Sequence, residues 1–103
     1  MFEIKIVDEN TVEVSGQCEL NDLQQLRNSL EQRVEACEGR ALHLDMGKFT
    51  SVSSAVLSVI LCLLRHARAH QCELKILSMP PKLYDMARVG GLEAIIPSEA
   101  VAS

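Results

Sequence analysis

The apolar run at positions 55–64 constrains the fold of this chain more than any other segment. Ser58 is the one hydroxyl-bearing residue within it. The run is well short of the roughly 20 apolar residues that span a bilayer. We therefore expect a helix buried within a folded domain, and no membrane crossing.

The first segments of the chain have the pattern of a β-hairpin. At positions 2–7 the apolar residues Phe2, Ile4 and Ile6 alternate with Glu3, Lys5 and Val7, and apolar and polar residues alternate again at 11–15. The turn-like sequence Asp8-Glu9-Asn10 separates the two runs. This period of two, interrupted by turn residues, predicts two antiparallel strands.

A first helix is predicted to begin at Glu19 or Asn21 and to end near Gly39. Apolar side chains recur at helical spacing within it, which predicts one buried stripe. The members of this stripe are Leu20, Leu23, Leu26, Leu30 and Val34.

The remaining chain alternates between strand and helix patterns. Strands are predicted at 41–46, before a Gly47-Lys48 turn, and at 73–78. A second helix begins near Ser53 or Ser54, a third helix runs from Pro80-Pro81 to Val89, and a short element is expected at 92–96. The order β-β-α-β-α-β-α predicts an α/β fold with one mixed sheet and packed helices.

Size and charge exclude several classes of protein. The 103 residues suffice for one domain, which we place at 1–97, with a small polar tail at 98–103. The net charge of -4 and the 3% aromatic content disfavour nucleic-acid binding. The first ten residues lack a basic start followed by an apolar core, so we expect no secretory signal and a cytoplasmic location.

The four cysteines form no metal-binding or redox motif. Cys18, Cys37, Cys62 and Cys72 are widely spaced and contain no CxxC pair. We interpret them as reduced thiols, with Cys62 acting as a small apolar residue of the second helix.

The second helix carries a stripe of small residues where a solvated helix normally has Glu, Lys and Gln. At about 100° per residue, this stripe is opposite the apolar arc that should face the core. Its small side chains would let another protein approach closely, with Val59 as an exposed apolar extension and Lys48, Arg65 and Lys82 as charges at the rim. The small residues are Ser54, Ala55, Ser58, Cys62 and Ala69.

The start of this helix has two interpretations. A hydroxyl of Ser53 or Ser54 can cap the helix by accepting a hydrogen bond from a backbone N–H, and the sequence favours this interpretation. Alternatively, the hydroxyls crowded into TSVSSAV are at a positive helix end, which suits an anion such as a phosphoryl group on serine.

Enzymatic motifs are absent from the sequence. There is no GxSxG, Walker A or glycine-rich dinucleotide motif, so we expect no catalytic residues and no cofactor. His66 and His70 have the i, i+4 spacing of a metal-binding pair, but without an HExxH glutamate we interpret them as a solvated helix end, with no metal. His43 is expected to be a sheet residue, and Asp45 either accepts hydrogen bonds from the loop before the helix or is a turn aspartate.

Residues 42–97 resemble the STAS domain family, which is named for sulfate transporters and anti-sigma-factor antagonists. Members of this family have an apolar strand that ends in Asp, an Asp-Ser-Ser-Gly-like helix start, an apolar helix, a strand, and a helix before Gly-Leu. The matching segments here are 42–45, 53–55, 56–64, 74–78 and 83–92. The resemblance implies a STAS-like mixed sheet with packed helices.

The resemblance also implies a function. The phosphorylatable position of the family is Ser54, while its usual acid and glycine are replaced by Ser53 and Ala55. Within the family, the chain most resembles the small cytoplasmic STAS subunits of Mla-type ABC transporters, which move phospholipids between the membranes of Gram-negative bacteria. These non-catalytic subunits bind the ATPase through the region around the second helix start, which here includes Ser53, Ser54 and Ala55. Two alternatives are an anti-sigma-factor antagonist, which a partner kinase would phosphorylate on Ser54, and a STAS module of a stress-signalling assembly.

Overall fold

The computed structural model describes residues 2–91. The element expected at 92–96 and the tail at 98–103 are outside this range. Among the described residues, no helix has both the length and the apolar character that a bilayer crossing requires. The elements are β1 (Phe2–Asp8), β2 (Thr11–Gly16), a 3₁₀ turn (Leu20–Asp22), α1 (Leu23–Ala36), β3 (Ala41–Phe49), α2 (Ser54–Ala69), β4 (Glu73–Leu77) and α3 (Pro81–Val89).

The four strands form one mixed sheet in the order β1-β2-β3-β4. β1 and β2 are antiparallel, which confirms the predicted hairpin, and β2-β3 and β3-β4 are parallel pairs. The parallel connections pass through α1 and α2. Crossovers between parallel strands are almost always right-handed, so both helices lie on the same face of the sheet, where they pack against each other.

The hydrophobic core lies between this face and the helices. Val12 and Val14 of β2 point into it, and Phe2 and Ile4 of the edge strand β1 are half-buried, whereas Ile6 is exposed. Leu20 is 82% exposed because the 3₁₀ turn places it outside the α1 stripe. The helix residues that are buried are Leu26, Leu30 and Val34 of α1, Val56, Leu57, Val59, Ile60, Leu63 and Ala67 of α2, and Leu83 and Ala87 of α3.

β3 continues through the predicted Gly47-Lys48 turn as far as Phe49, so that turn prediction is wrong. Phe49 is buried in the core and pairs with Gly16 of β2. A register shift between Glu13 and Ser15 of β2 accommodates the additional β3 residue. The additional residue makes a β-bulge in β3. Asp45 Oδ1 accepts a hydrogen bond of 2.9 Å from the N–H of Gly47, so the aspartate stabilises this bulge locally.

The segment before α2 is attached to the end of β2. The N–H of Thr50 donates to the carbonyl of Gly16 at 2.9 Å. The Ser51 hydroxyl accepts from the N–H of Cys18 at 2.6 Å and donates to the carbonyl of the same residue at 3.3 Å. These bonds fix where α2 starts relative to the sheet.

Ser53 is the N-cap of α2, which confirms the predicted serine cap. Its backbone is extended, with φ -160° and ψ 163°, and its Oγ accepts a hydrogen bond of 3.1 Å from the N–H of Val56. Ser54 is the first helical residue and is exposed. The two adjacent serines therefore have different structural roles.

We expect Leu63→Ala to lower the free energy of unfolding by about 2 to 5 kcal/mol, since it removes a side chain that is 1% exposed and leaves a cavity. Leu20→Ala is the matched control because Leu20 is 82% exposed, and it should change stability by no more than about 0.5 kcal/mol. Urea denaturation measures both. Equal losses in the two variants would contradict the described core.

Ser53→Ala should destabilise the protein by about 1 kcal/mol because the N–H of Val56 loses its acceptor. Ser54→Ala serves as the neighbouring control, with an expected change within about 0.5 kcal/mol. The comparison uses the denaturation midpoints of both variants. If Ser54→Ala lowered the stability more than Ser53→Ala, the assignment of Ser53 as the N-cap would be wrong.

Candidate functional site

The small-residue stripe of α2 is largely open to solvent. Ser54, Ser58 and Arg65 are exposed, and Ala55 and Cys62 are half-buried. We call these five residues the α2 patch. Three of them carry no side chain larger than a methyl or hydroxymethyl group, so the helix backbone is accessible to an approaching surface along this face.

Val59 does not belong to the exposed surface, contrary to the sequence-based expectation. Its side chain is 8% exposed and lines an apolar core space together with Leu26 and Leu30 of α1 and Phe49 of β3. The expectation assumed that α2 is buried along one arc against the core, whereas α2 packs against both the sheet and α1. The second contact widens the buried arc and covers Val59.

At the start of α2, the hydroxyl of Ser53 is used in a hydrogen bond within the helix, whereas the hydroxyl of Ser54 is open to solvent. The Ser53 hydroxyl accepts the capping hydrogen bond and the residue is half-buried. Ser54 is exposed, and the first turn of α2 contains no acidic side chain. The positive end of the helix dipole is therefore not neutralised by a carboxylate of that turn.

The predicted basic rim is not one continuous feature. Arg65 belongs to the α2 patch, but the Nζ of Lys48 is 3.7 Å from Glu13 Oε1. Glu13 alternates with the buried Val12 and Val14, so it is on the sheet face that is turned away from the helices. Lys82 is exposed in the first turn of α3. Of the three cations, Arg65 alone extends from the same helix as the small residues.

Sequence reasoning missed an open groove of about 270 Å³ between α1 and α2, beside the patch. Arg27 and Glu31 of α1 form one wall, and Cys62, Arg65 and His66 of α2 form the other. Arg27 Nε donates to Glu31 Oε2 at 3.1 Å, and this hydrogen bond raises the pKa of Arg27. The i, i+4 spacing of Arg27 and Glu31 was a visible signal, but their position against Cys62 depends on the packing of the two helices.

The cysteines are free thiols, as expected from their spacing. Burial is the main cause that raises the pKa of Cys18 and of Cys72, and the negative charge of Asp22 raises the pKa of Cys18 further. Both thiols therefore stay protonated at neutral pH, which disfavours nucleophilic chemistry at these positions.

Comparisons with known proteins identify the family. A family profile described as "Mlab, STAS domain" matches residues 4–97. Two similar solved structures are the anti-sigma factor antagonist SpoIIAA in its unphosphorylated form and the Bacillus cell fate determinant SpoIIAA in the phosphorylated form. No curated protein sequence matches the chain.

The unphosphorylated structure has a TM-score of 0.70 and 16% identity, covering 94% of this chain and 86% of that chain. The phosphorylated structure has a TM-score of 0.69 and 16% identity, covering 94% of this chain and 89% of that chain. At this identity the two structures confirm the expected STAS fold alone, whereas the family profile covers most of the sequence. The chain is therefore a member of the STAS domain family, in its MlaB-like group.

Proposed function

We propose that this protein is a non-catalytic subunit that binds and supports the ATPase of an Mla-type phospholipid-transport ABC complex, and so helps to maintain the lipid asymmetry of the outer membrane. The observation that carries the proposal is the uncovered α2 patch in a chain that matches the Mlab STAS profile. The binding domain comprises residues 1–97. The protein acts in the cytoplasm and reaches the inner face of the inner membrane through its partner.

The shape of the α2 patch suits a closely packed protein contact. Ser54, Ala55 and Ser58 have short side chains that lose little conformational entropy when a partner covers them. Cys62 adds a half-buried, polarizable surface at the centre of the helix. A partner helix or loop can therefore approach the α2 backbone without displacing long side chains.

Charge at the edge of the patch would orient the partner. Arg65 is exposed and adjoins the groove between α1 and α2, where it can pair with a carboxylate of the ATPase. Such exposed pairs contribute about 0 to 1 kcal/mol and act mainly on the rate of association. The small residues should therefore determine affinity more than Arg65 does.

Ser58→Arg should reduce binding of a co-expressed Mla-type ATPase by at least about tenfold, because a long charged side chain would be forced into the interface and leave a charge buried without a partner. Gln32→Arg is the matched control, since Gln32 is exposed on α1 and helically opposite the buried stripe of that helix. Tandem purification and surface plasmon resonance measure both variants. Failure of the wild type to retain the ATPase, or full binding by Ser58→Arg, would contradict the proposal.

The anti-sigma-factor antagonist is the second candidate function. The observation that favours it is the exposed Ser54 at an α2 terminus that has no acid in its first turn. A phosphoryl group on Ser54 would add about -1.5 to -2 charges there and would change how a partner docks. The hydroxyl of the neighbouring Ser53 caps the helix, so Ser54 is the serine of this pair whose hydroxyl is accessible to a kinase.

Intact-mass spectrometry after incubation with an anti-sigma-factor kinase and ATP separates the two candidates. The transporter proposal expects no added phosphoryl group because the acid and glycine typical of a kinase-recognised site are replaced by Ser53 and Ala55. A phosphorylated species that disappears in Ser54→Ala but persists in Ser58→Ala would instead support the antagonist.

A further inference from the structure

Four side chains with metal-ligand chemistry meet near the C-terminal end of α2. His66 Nε2 is 2.8 Å from Glu35 Oε2, and His70 Nδ1 is 3.2 Å from Glu38 Oε1. The two imidazole rings are 4.4 Å apart between centroids. The sequence places no carboxylate beside the histidine pair, but the fold brings two from the end of α1 and the turn after it.

The donor atoms of three of these side chains form one compact cluster. One donor atom from each of Glu35, His66 and His70 lies within 4.8 Å of the other two. Ligand bonds of about 2.0 to 2.2 Å place neighbouring tetrahedral ligands roughly 3.3 Å apart. The side chains have room to move toward that spacing, since the side chain of Glu35 is 50% exposed and that of His66 is 25% exposed.

The backbone around these residues is already held in place. The N–H of Gly39 donates to the carbonyl of Gln71 at 3.0 Å, which joins the turn after α1 to the turn after α2. Val34 and Leu63 are both buried in the core under the same helix pair. Ion binding would therefore require side-chain adjustment, while the two helix ends keep their relative positions.

The donor set selects a class of ion. Imidazole nitrogens suit Zn²⁺, Cu²⁺ and Ni²⁺, whereas Mg²⁺ and Ca²⁺ prefer oxygen ligands alone. The carboxylates and the negative ends of both helix dipoles favour a cation at this position. Each short nitrogen–oxygen contact holds a proton that a metal ion can replace.

We propose that Glu35, His66 and His70 bind one divalent transition-metal ion of the zinc class, with Glu38 as the adjacent fourth ligand. The ion connects α1 to α2. From Ser54 to His66 the helix rises about 18 Å, so this site is at the opposite end of the α2 patch from Ser54, where Arg65 of the patch directly precedes His66. The inference is independent of the proposed transporter function.

Calorimetric titration of the metal-free full chain with Zn²⁺ tests the site. We expect one ion per chain, and a loss of affinity of at least about tenfold in His66→Ala and in His70→Ala, because even outer partners of a metal site contribute about 10- to 100-fold. His43→Ala is the matched control, since His43 is on the opposite face of the sheet and should leave affinity unchanged. Equal affinity in the wild type and His66→Ala would overturn the proposal.

Two further measurements separate this site from thiol binding and from misfolding. Cys18→Ser/Cys62→Ser should bind Zn²⁺ like the wild type, and bound Co²⁺ should lack the near-ultraviolet charge-transfer absorption of a thiolate ligand. Glu35→Gln preserves side-chain shape and should also weaken binding, while its thermal midpoint without metal stays that of the wild type. Loss of binding in the cysteine variant, or a thiolate absorption, would assign the zinc to cysteines and refute the proposal.

Discussion

Burial of α2 against two surfaces at once is the constraint on which the rest of the structure depends. Ile60 and Leu63 belong to the core beneath the helix, and Val59 is covered where α1 packs alongside. Because α1 and α2 share one face of the sheet, the exposed surface of α2 is narrowed to a strip. The α2 patch occupies that strip, and the groove beside α1 forms its margin.

Local signals in the sequence predicted the order of the elements, the hairpin and the serine cap of α2. Each of these depends on residues within a few positions, such as Ser53 and the N–H of Val56. Two predictions that were wrong, an exposed Val59 and a turn at Gly47-Lys48, failed because they depend on packing between distant segments. Val59 is covered by a helix about thirty positions earlier, and β3 passes through Gly47 because Phe49 is buried and paired with β2.

The same distinction applies to the two ends of α2 as candidate sites. The small residues of the α2 patch are visible in one stretch of sequence, so their common face was predictable, whereas Val59 is buried and Lys48 and Lys82 extend from other elements. The surroundings of His66 were not predictable, since Glu35 is 31 positions away and comes from another helix. Both features depend on how α1 packs beside α2, because α1 forms one margin of the patch and also supplies the carboxylate of Glu35.

The hydrogen bonds between Ser51 and Cys18, and between Thr50 and Gly16, hold the segment before α2 in one conformation. A loop that is disordered before binding must lose its freedom when a partner arrives, and that loss weakens the complex by about 1 to 2 kcal/mol for each backbone position that becomes ordered. Here that entropy is lost during folding instead. Under the proposed function, a partner that binds near Ser54 would therefore meet an ordered segment and dock with little rearrangement of the free protein.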